Sequence, residues 1–280
     1  MTVPDSPAAP PATAQQPYPG MKDVLLLLLL TIAASLVVEG VLLALERIGV
    51  DATHPGTQAL ATLASISPVV AYGVRRSAAP PRDVLPLRAV PLALLTPMAV
   101  AMMGISILLS EADNLVRLML PPPDWLEQTF DDLTLGRRSV WGSVALLVVA
   151  APLTEETLFR GVILHGFQRR YAARRAILTS ALLFAAFHMN PWQFLGAATA
   201  GIVFGWWRMA TGSLVPGLVC HALNNAMPLA VATLFGWRIR GYTGGLSGVV
   251  AFQPLWFDAL GIVLTAGGLW LVARRLRHGN

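Results

Sequence analysis

Apolar stretches that span, or nearly span, a bilayer recur eight times along the chain, and that recurrence leaves few folds open. They run over about 24–45, 57–74, 89–110, 140–166, 176–190, 193–210, 213–235 and 255–273, where a spanning helix needs about 20 mostly apolar residues. In hydrocarbon every backbone amide must be paired internally, so segments of this composition form helices. Charged residues make up 12% of the chain and mean hydropathy is +0.61, whereas soluble domains carry about 25% charge. The expected fold is all-α: a polytopic membrane protein built as a bundle of about eight transmembrane helices.

Residues 1–20 are rich in Pro, Ala and Gln and read as a disordered tail, because they carry too little apolar surface to fold. Residues 21–280 read as a single transmembrane domain. The run that follows Lys22 is too long for a signal-peptide core and is the first spanning helix. The net charge of +5 does not indicate nucleic acid, because the arginines cluster at the ends of apolar stretches. With both termini inside, thirteen of the twenty Lys and Arg fall in the cytoplasm and six outside, Arg160 lying within the membrane. The expected location is therefore a bacterial cell membrane with both termini cytoplasmic. The acidic connection over about 111–139, broken at Pro121-Pro122-Pro123, reads as an external loop with a short interfacial helix at Leu115–Leu120. The fifth and sixth stretches are short and meet at Asn190-Pro191-Trp192, a turn signal.

Glu155, Glu156 and Arg160 interrupt the fourth stretch. Each charge facing lipid at the centre of a spanning helix costs about 2.5–3.5 kcal/mol, so all three must face protein or trapped water. Successive helical residues are about 100° apart. Glu156 and Arg160 therefore share a face and can neutralise each other as a structural ion pair, whereas Glu155 points elsewhere and is the less paired acid. A desolvated carboxylate that water can reach is a candidate general base.

Two histidines lie in equally apolar surroundings. His188 follows Phe184 by one turn and precedes the Asn190-Pro191 break; by itself it reads equally as a helix cap or a satisfied core residue. His221 has Asn225 at i+4 on the same face, with Asn224 flanking, so an imidazole and a carboxamide project into one space. Neutral donors so placed suit a developing oxyanion; the alternative is interhelical polar contact, worth about 0.6 kcal/mol per bond. Depth constrains the set. For His188 to meet Glu155, the fifth helix is expected to start after Arg175 and the Asn190-Pro191 turn to dip into the bilayer.

The order Glu155-Glu156-x-x-x-Arg160, Phe184-x-x-x-His188, His221-x-x-x-Asn225 resembles the three motifs of the CAAX protease and bacteriocin-processing enzyme family, also called CPBP or Abi-type intramembrane proteases. The resemblance covers a motif core at 139–235. It implies a bundle around a hydrated intramembrane cavity and an intramembrane glutamic endopeptidase that hydrolyses a peptide bond of a membrane-associated protein or peptide without a covalent intermediate. By that resemblance Glu155 and His188 activate a water, His221 and Asn225 polarise the scissile carbonyl, and Glu156, Arg160, Phe184 and Asn224 support the site. No cofactor or metal is expected. The implied partners are a membrane-associated substrate and the bilayer, with no nucleic acid; substrate identity and oligomeric state stay open.

Two other readings stand beside it. Glu155, Glu156, His188 and His221 can in principle furnish a zinc site, although the chain has no His-Glu-x-x-His. A non-catalytic scaffold or proton-coupled transporter also uses buried acids. Cys220 reads as a small buried apolar residue, and Gly201-x-x-x-Gly205 as a close-packing helix face.

Overall fold

A computed structural model describes residues 17–243 and 250–278. Among these residues there is no strand, and the chain is a bundle of helices. We number them α1 (Met21–Leu45), α2 (Pro55–Arg76), α3 (Leu92–Met119), α4 (Asp124–Thr134), α5 (Val140–Gln168), α6 (Ala173–Phe187), α7 (Pro191–Thr211), α8 (Val215–Thr233) and α9 (Leu255–His278). Each of the eight expected stretches is helical, but six are long and apolar enough to cross a membrane: α1, α2, α3, α5, α8 and α9. Six of the about eight expected spans thus meet both criteria among the described residues. With 15 residues, α6 rises only about 22 Å, short of a hydrocarbon core about 30 Å thick.

Local chemistry sets the helix ends. Asn190 caps α7, its Oδ1 accepting from the backbone N–H groups of Trp192 and Gln193, and Pro191 fills the first helical position, where no N–H is needed. Ser139 caps α5 through Gly142 N–H. The acidic connection is more ordered than expected. No breaker intervenes before Pro121, so Leu115–Met119 continue α3 instead of forming a separate interfacial helix, and α4 follows the proline run. Trp192 Nε1 donates to Leu120 O at 2.6 Å and ties α7 to that run.

Helix α5 lies at the centre: Leu158, Phe159, Val162, Ile163, Leu164 and Phe167 are all 0% exposed. The outer helices do the opposite, with Leu29, Leu36 and Leu43 of α1 and Ile262, Val263 and Trp270 of α9 exposed, as lipid-facing surfaces are. Small residues let backbones approach closely. A Cβ on Gly104 would meet Thr265 N at 2.4 Å and one on Gly268 would meet Ala101 N at 2.5 Å, so α3 and α9 run antiparallel in close contact. The Gly201-x-x-x-Gly205 face serves this molecule's own packing, Gly201 against Ala181 and Gly205 against Ile177 of α6. Part of the expected tail is packed as well: a Cβ on Gly166 would strike Pro19, Arg170 Nε donates to Pro17 O, and Arg76 lies 5.6 Å above the Tyr18 ring. Burial in this contact pushes the Tyr18 hydroxyl up to about 12, with Tyr72 and Asp23 adding to the effect.

Candidate active site

The Glu155-Glu156 pair occupies the six α-helical residues Ala151–Glu156 of α5, between two π-helical turns, Val144–Ala150 and Thr157–Ile163. A π turn widens the helix and shifts its hydrogen-bond register, and such turns concentrate at functional sites. Here the first one offers a side-chain partner a carbonyl: Leu147 O accepts from Asn225 Nδ2 at 2.9 Å. Asn224 Nδ2 donates to Asn225 Oδ1 at 3.2 Å. Both contacts orient the Asn225 carboxamide, and one Nδ2 hydrogen remains uncommitted.

Glu156 and Arg160 pair as their spacing requires. Glu156 is 0% and Arg160 1% exposed, and Arg160 Nη1 donates to Glu156 Oε1 at 2.9 Å. The guanidinium also lies 4.2 Å above the Phe184 ring and 5.4 Å from that of Phe204, so its charge meets a carboxylate and two π faces. The same Glu156 oxygen has a second partner that linear spacing does not indicate. His221 Nδ1 stands 3.1 Å from it, and because a carboxylate can only accept, Nδ1 carries the hydrogen. Phe204 stacks on the His221 ring at 5.5 Å and 27°.

That hydrogen bond aims the other ring nitrogen. His221 Nε2 faces Glu155 Oε2 at 3.8 Å, too far for a direct hydrogen bond and a spacing at which one water can touch both groups. The Glu155 side chain is 19% exposed, and its Oε2 has no hydrogen-bond partner within the protein. Among the described residues the ion-pair contact of Glu155 is thus with His221 and not with His188.

His188 enters through aromatic packing. It caps α6, its Nδ1 donating to Phe184 O at 2.8 Å, which leaves the Nε2 lone pair outward. The Phe184 ring stands edge-on to both imidazoles, 4.7 Å from His188 and 6.2 Å from His221. The expected late start of α6 does not occur: the helix begins at Ala173 and includes Arg174 and Arg175. Levels still match, because α5 continues to Gln168. At 1.5 Å per residue, Glu155 lies about 20 Å from that end, close to the height His188 reaches on the antiparallel α6.

Sequence reasoning missed three contributors. Phe204 gave no signal, lying on a helix with no polar motif. The Leu147 carbonyl depends on backbone geometry that spacing does not show. Gly217 did leave a signal: it precedes His221 by four residues and so shares its face. A Cβ there would meet Glu156 Oε2 at 2.6 Å. A cavity of about 420 Å³ lined by Val70, Val74, Leu85, Leu153, Thr154 and Thr157 opens on the far side of α5 from Glu155 and is separate from this cluster. No three His, Cys, Asp or Glu side chains among the described residues are grouped to hold a metal ion, so the expected alternative of a zinc site lacks a three-residue ligand set.

Fold and site together define a polytopic helical membrane protein with a buried carboxylate–imidazole–carboxamide cluster at its centre. Residues 137–227 are similar to the family described as type II CAAX prenyl endopeptidase Rce1-like; the match spans all three motifs. A protein of Escherichia coli described as an uncharacterized 24.3 kDa protein is 33% identical over 125 residues, 42% of this chain and 54% of that protein. The chain thus spans about half the length of this curated relative. No solved structure matches.

Proposed function

We propose that the protein is an intramembrane endopeptidase that cleaves a peptide bond of a membrane-associated protein or peptide with a water activated by Glu155. The observation that carries the reading is the asymmetry around His221: Nδ1 is held by the fully buried Glu156, while Nε2 faces, at 3.8 Å and without a direct hydrogen bond, Oε2 of Glu155, whose side chain is 19% exposed.

In this reading Glu155 takes a proton from a water lying against its Oε2. His188, its Nδ1 hydrogen committed to Phe184 O, presents Nε2 as a second acceptor for that water. The hydroxide oxygen bonds to the scissile carbonyl carbon, and the carbonyl π electrons move to oxygen. The free Nδ2 hydrogen of Asn225 and, in the doubly protonated ring, His221 Nε2–H donate to the oxyanion. The C–N bond then breaks as the Glu155 carboxylic acid returns its proton to the amine nitrogen, which leaves a new carboxyl terminus and a free amine. Glu156 and Arg160 hold His221 and touch no reacting atom. The family match over 137–227 supports peptidase chemistry at a prenyl-protein type of substrate, and the apolar surroundings support a substrate whose anchor stays in lipid.

The test compares membranes containing equal amounts of native chain and Glu155→Ala by mass spectrometry of peptide termini. New termini should appear with the native chain alone and persist in chelator. Identical termini in both samples would favour a scaffold or transporter, and loss of the termini in chelator would favour a metal-dependent reaction.

A further inference from the structure

Arg208 is a guanidinium buried without a counter-charge. It lies in the last turn of α7, 6% exposed, and its Nε has no hydrogen-bond acceptor. Among the described residues no carboxylate pairs with it; the charge that acts on it is that of Arg88, of like sign. Arg208 and Arg169 in turn both act on His165, whose Nε2 is 3.4 Å from Arg169 Nη1. Asp83, which is exposed, bears on His165.

The backbone holds this cluster together. Ser213 Oγ donates to Arg88 O at 2.6 Å and Leu214 N donates to Pro86 O at 2.8 Å, which pins residues 86–88 to the turn after α7. A Cβ on Gly212 would lie 3.9 Å from Arg88 Nη1. The Arg88 guanidinium therefore rests at the cap of α7, one helical turn from Arg208. Two like charges are kept at one helix end by tertiary structure, and one of them is out of water.

An unpaired buried ion is strongly unfavourable, and Arg160 illustrates how this fold treats a buried guanidinium when it supplies the anion itself. At Arg208 the anion must come from elsewhere. A planar guanidinium fork matches phosphate oxygens. The cluster also lies at the end of the bundle that carries Arg75, Arg76, Arg169, Arg170, Arg174 and Arg175, and basic pockets between spanning helices at such an end suit phosphate headgroups.

We propose that Arg208 and Arg88, with His165 and Arg169 at the rim, bind a phosphate group carried by an anionic phospholipid. Free phosphate has the same chemistry, so the experiment separates the two sources. Full-length protein is placed in nanodiscs of phosphatidylcholine alone, of phosphatidylcholine with phosphatidylglycerol, or of phosphatidylcholine with added inorganic phosphate, and the unfolding midpoint is followed. Phosphatidylglycerol should raise the midpoint of the native chain, and the apparent affinity should fall at least tenfold in Arg208→Gln and in Arg88→Gln. Arg274→Gln, on α9 beside Trp270, should respond as the native chain does. Arg88 is exposed, so its variant still reports if Arg208→Gln fails to fold. A response to phosphate but not to phosphatidylglycerol overturns the lipid source. No response to either beyond that of chloride at equal ionic strength, or native affinity in both arginine variants, overturns the site.

Discussion

Glu155 and Glu156 are neighbours of identical chemistry placed in opposite circumstances. Glu156 is sealed in, with Arg160 on one side and His221 on the other, so its charge is spent on structure. Glu155, one residue earlier, keeps 19% of its side chain exposed and makes no contact with His221 closer than 3.8 Å. The difference comes from a rotation of about 100° around one helix axis. One position turns into the α7–α8 packing, and the other turns to where water and a substrate can arrive. Buried charges cost least when paired; a reactive carboxylate must forgo that pairing.

Removing the exposed acid should test the contrast most severely. Glu155→Gln is expected to lower turnover by about 10²–10⁴, the range for a positioned acid–base group, while the unfolding midpoint in detergent stays near that of the native chain. A stable variant with native cleavage rate would erase the functional half of the comparison. Glu156→Gln should do the reverse first: loss of one partner of a buried ion pair costs about 3–5 kcal/mol, read as a lowered midpoint, because Arg160 is left charged and unmatched. The double variant Glu156→Gln with Arg160→Met should recover much of that stability without recovering cleavage, since His221 Nδ1 would still have lost its carboxylate.

Two smaller changes sharpen the boundary between the halves. Asn225→Ala is expected to lower kcat by about 10²–10³ with little change in KM, because an oxyanion donor acts in the transition state; a change confined to KM would assign Asn225 to binding. Gly217→Ala pushes a methyl group against Glu156 Oε2 at 2.6 Å and should cost about 1–3 kcal/mol of stability, as overpacking does. Its effect on turnover should scale with that loss, since it touches Glu156 and not Glu155.

Much of this was legible before the structure. Glu156 and Arg160 pair because i,i+4 spacing puts them on one helix face, and His221 and Asn225 point together for the same reason. The capping role of His188 was visible in its place before Asn190-Pro191. The error lay in depth: the arginines before the fifth stretch suggested a late helix start, yet α6 begins at Ala173. Where a helix begins relative to its neighbours depends on how the connecting turn packs, and residues 169–172 give no periodic signal of that. The length of the fifth stretch was hard to read for a related reason, since a 15-residue helix is held by its neighbours and not by its own length.

The sequence by itself determined the all-helical membrane class and which side chains share a helix face, because these follow from hydropathy and the helical repeat alone. Tertiary structure decided which groups meet across the fold: Glu156 with His221 Nδ1, Glu155 with His221 Nε2, Asn225 with the Leu147 carbonyl, and Arg88 with the turn that ends α7. Such pairings depend on rotation and sliding between helices far apart in the chain. Those two freedoms are set by how ridges, glycines and aromatic rings interlock, and a linear reading contains neither.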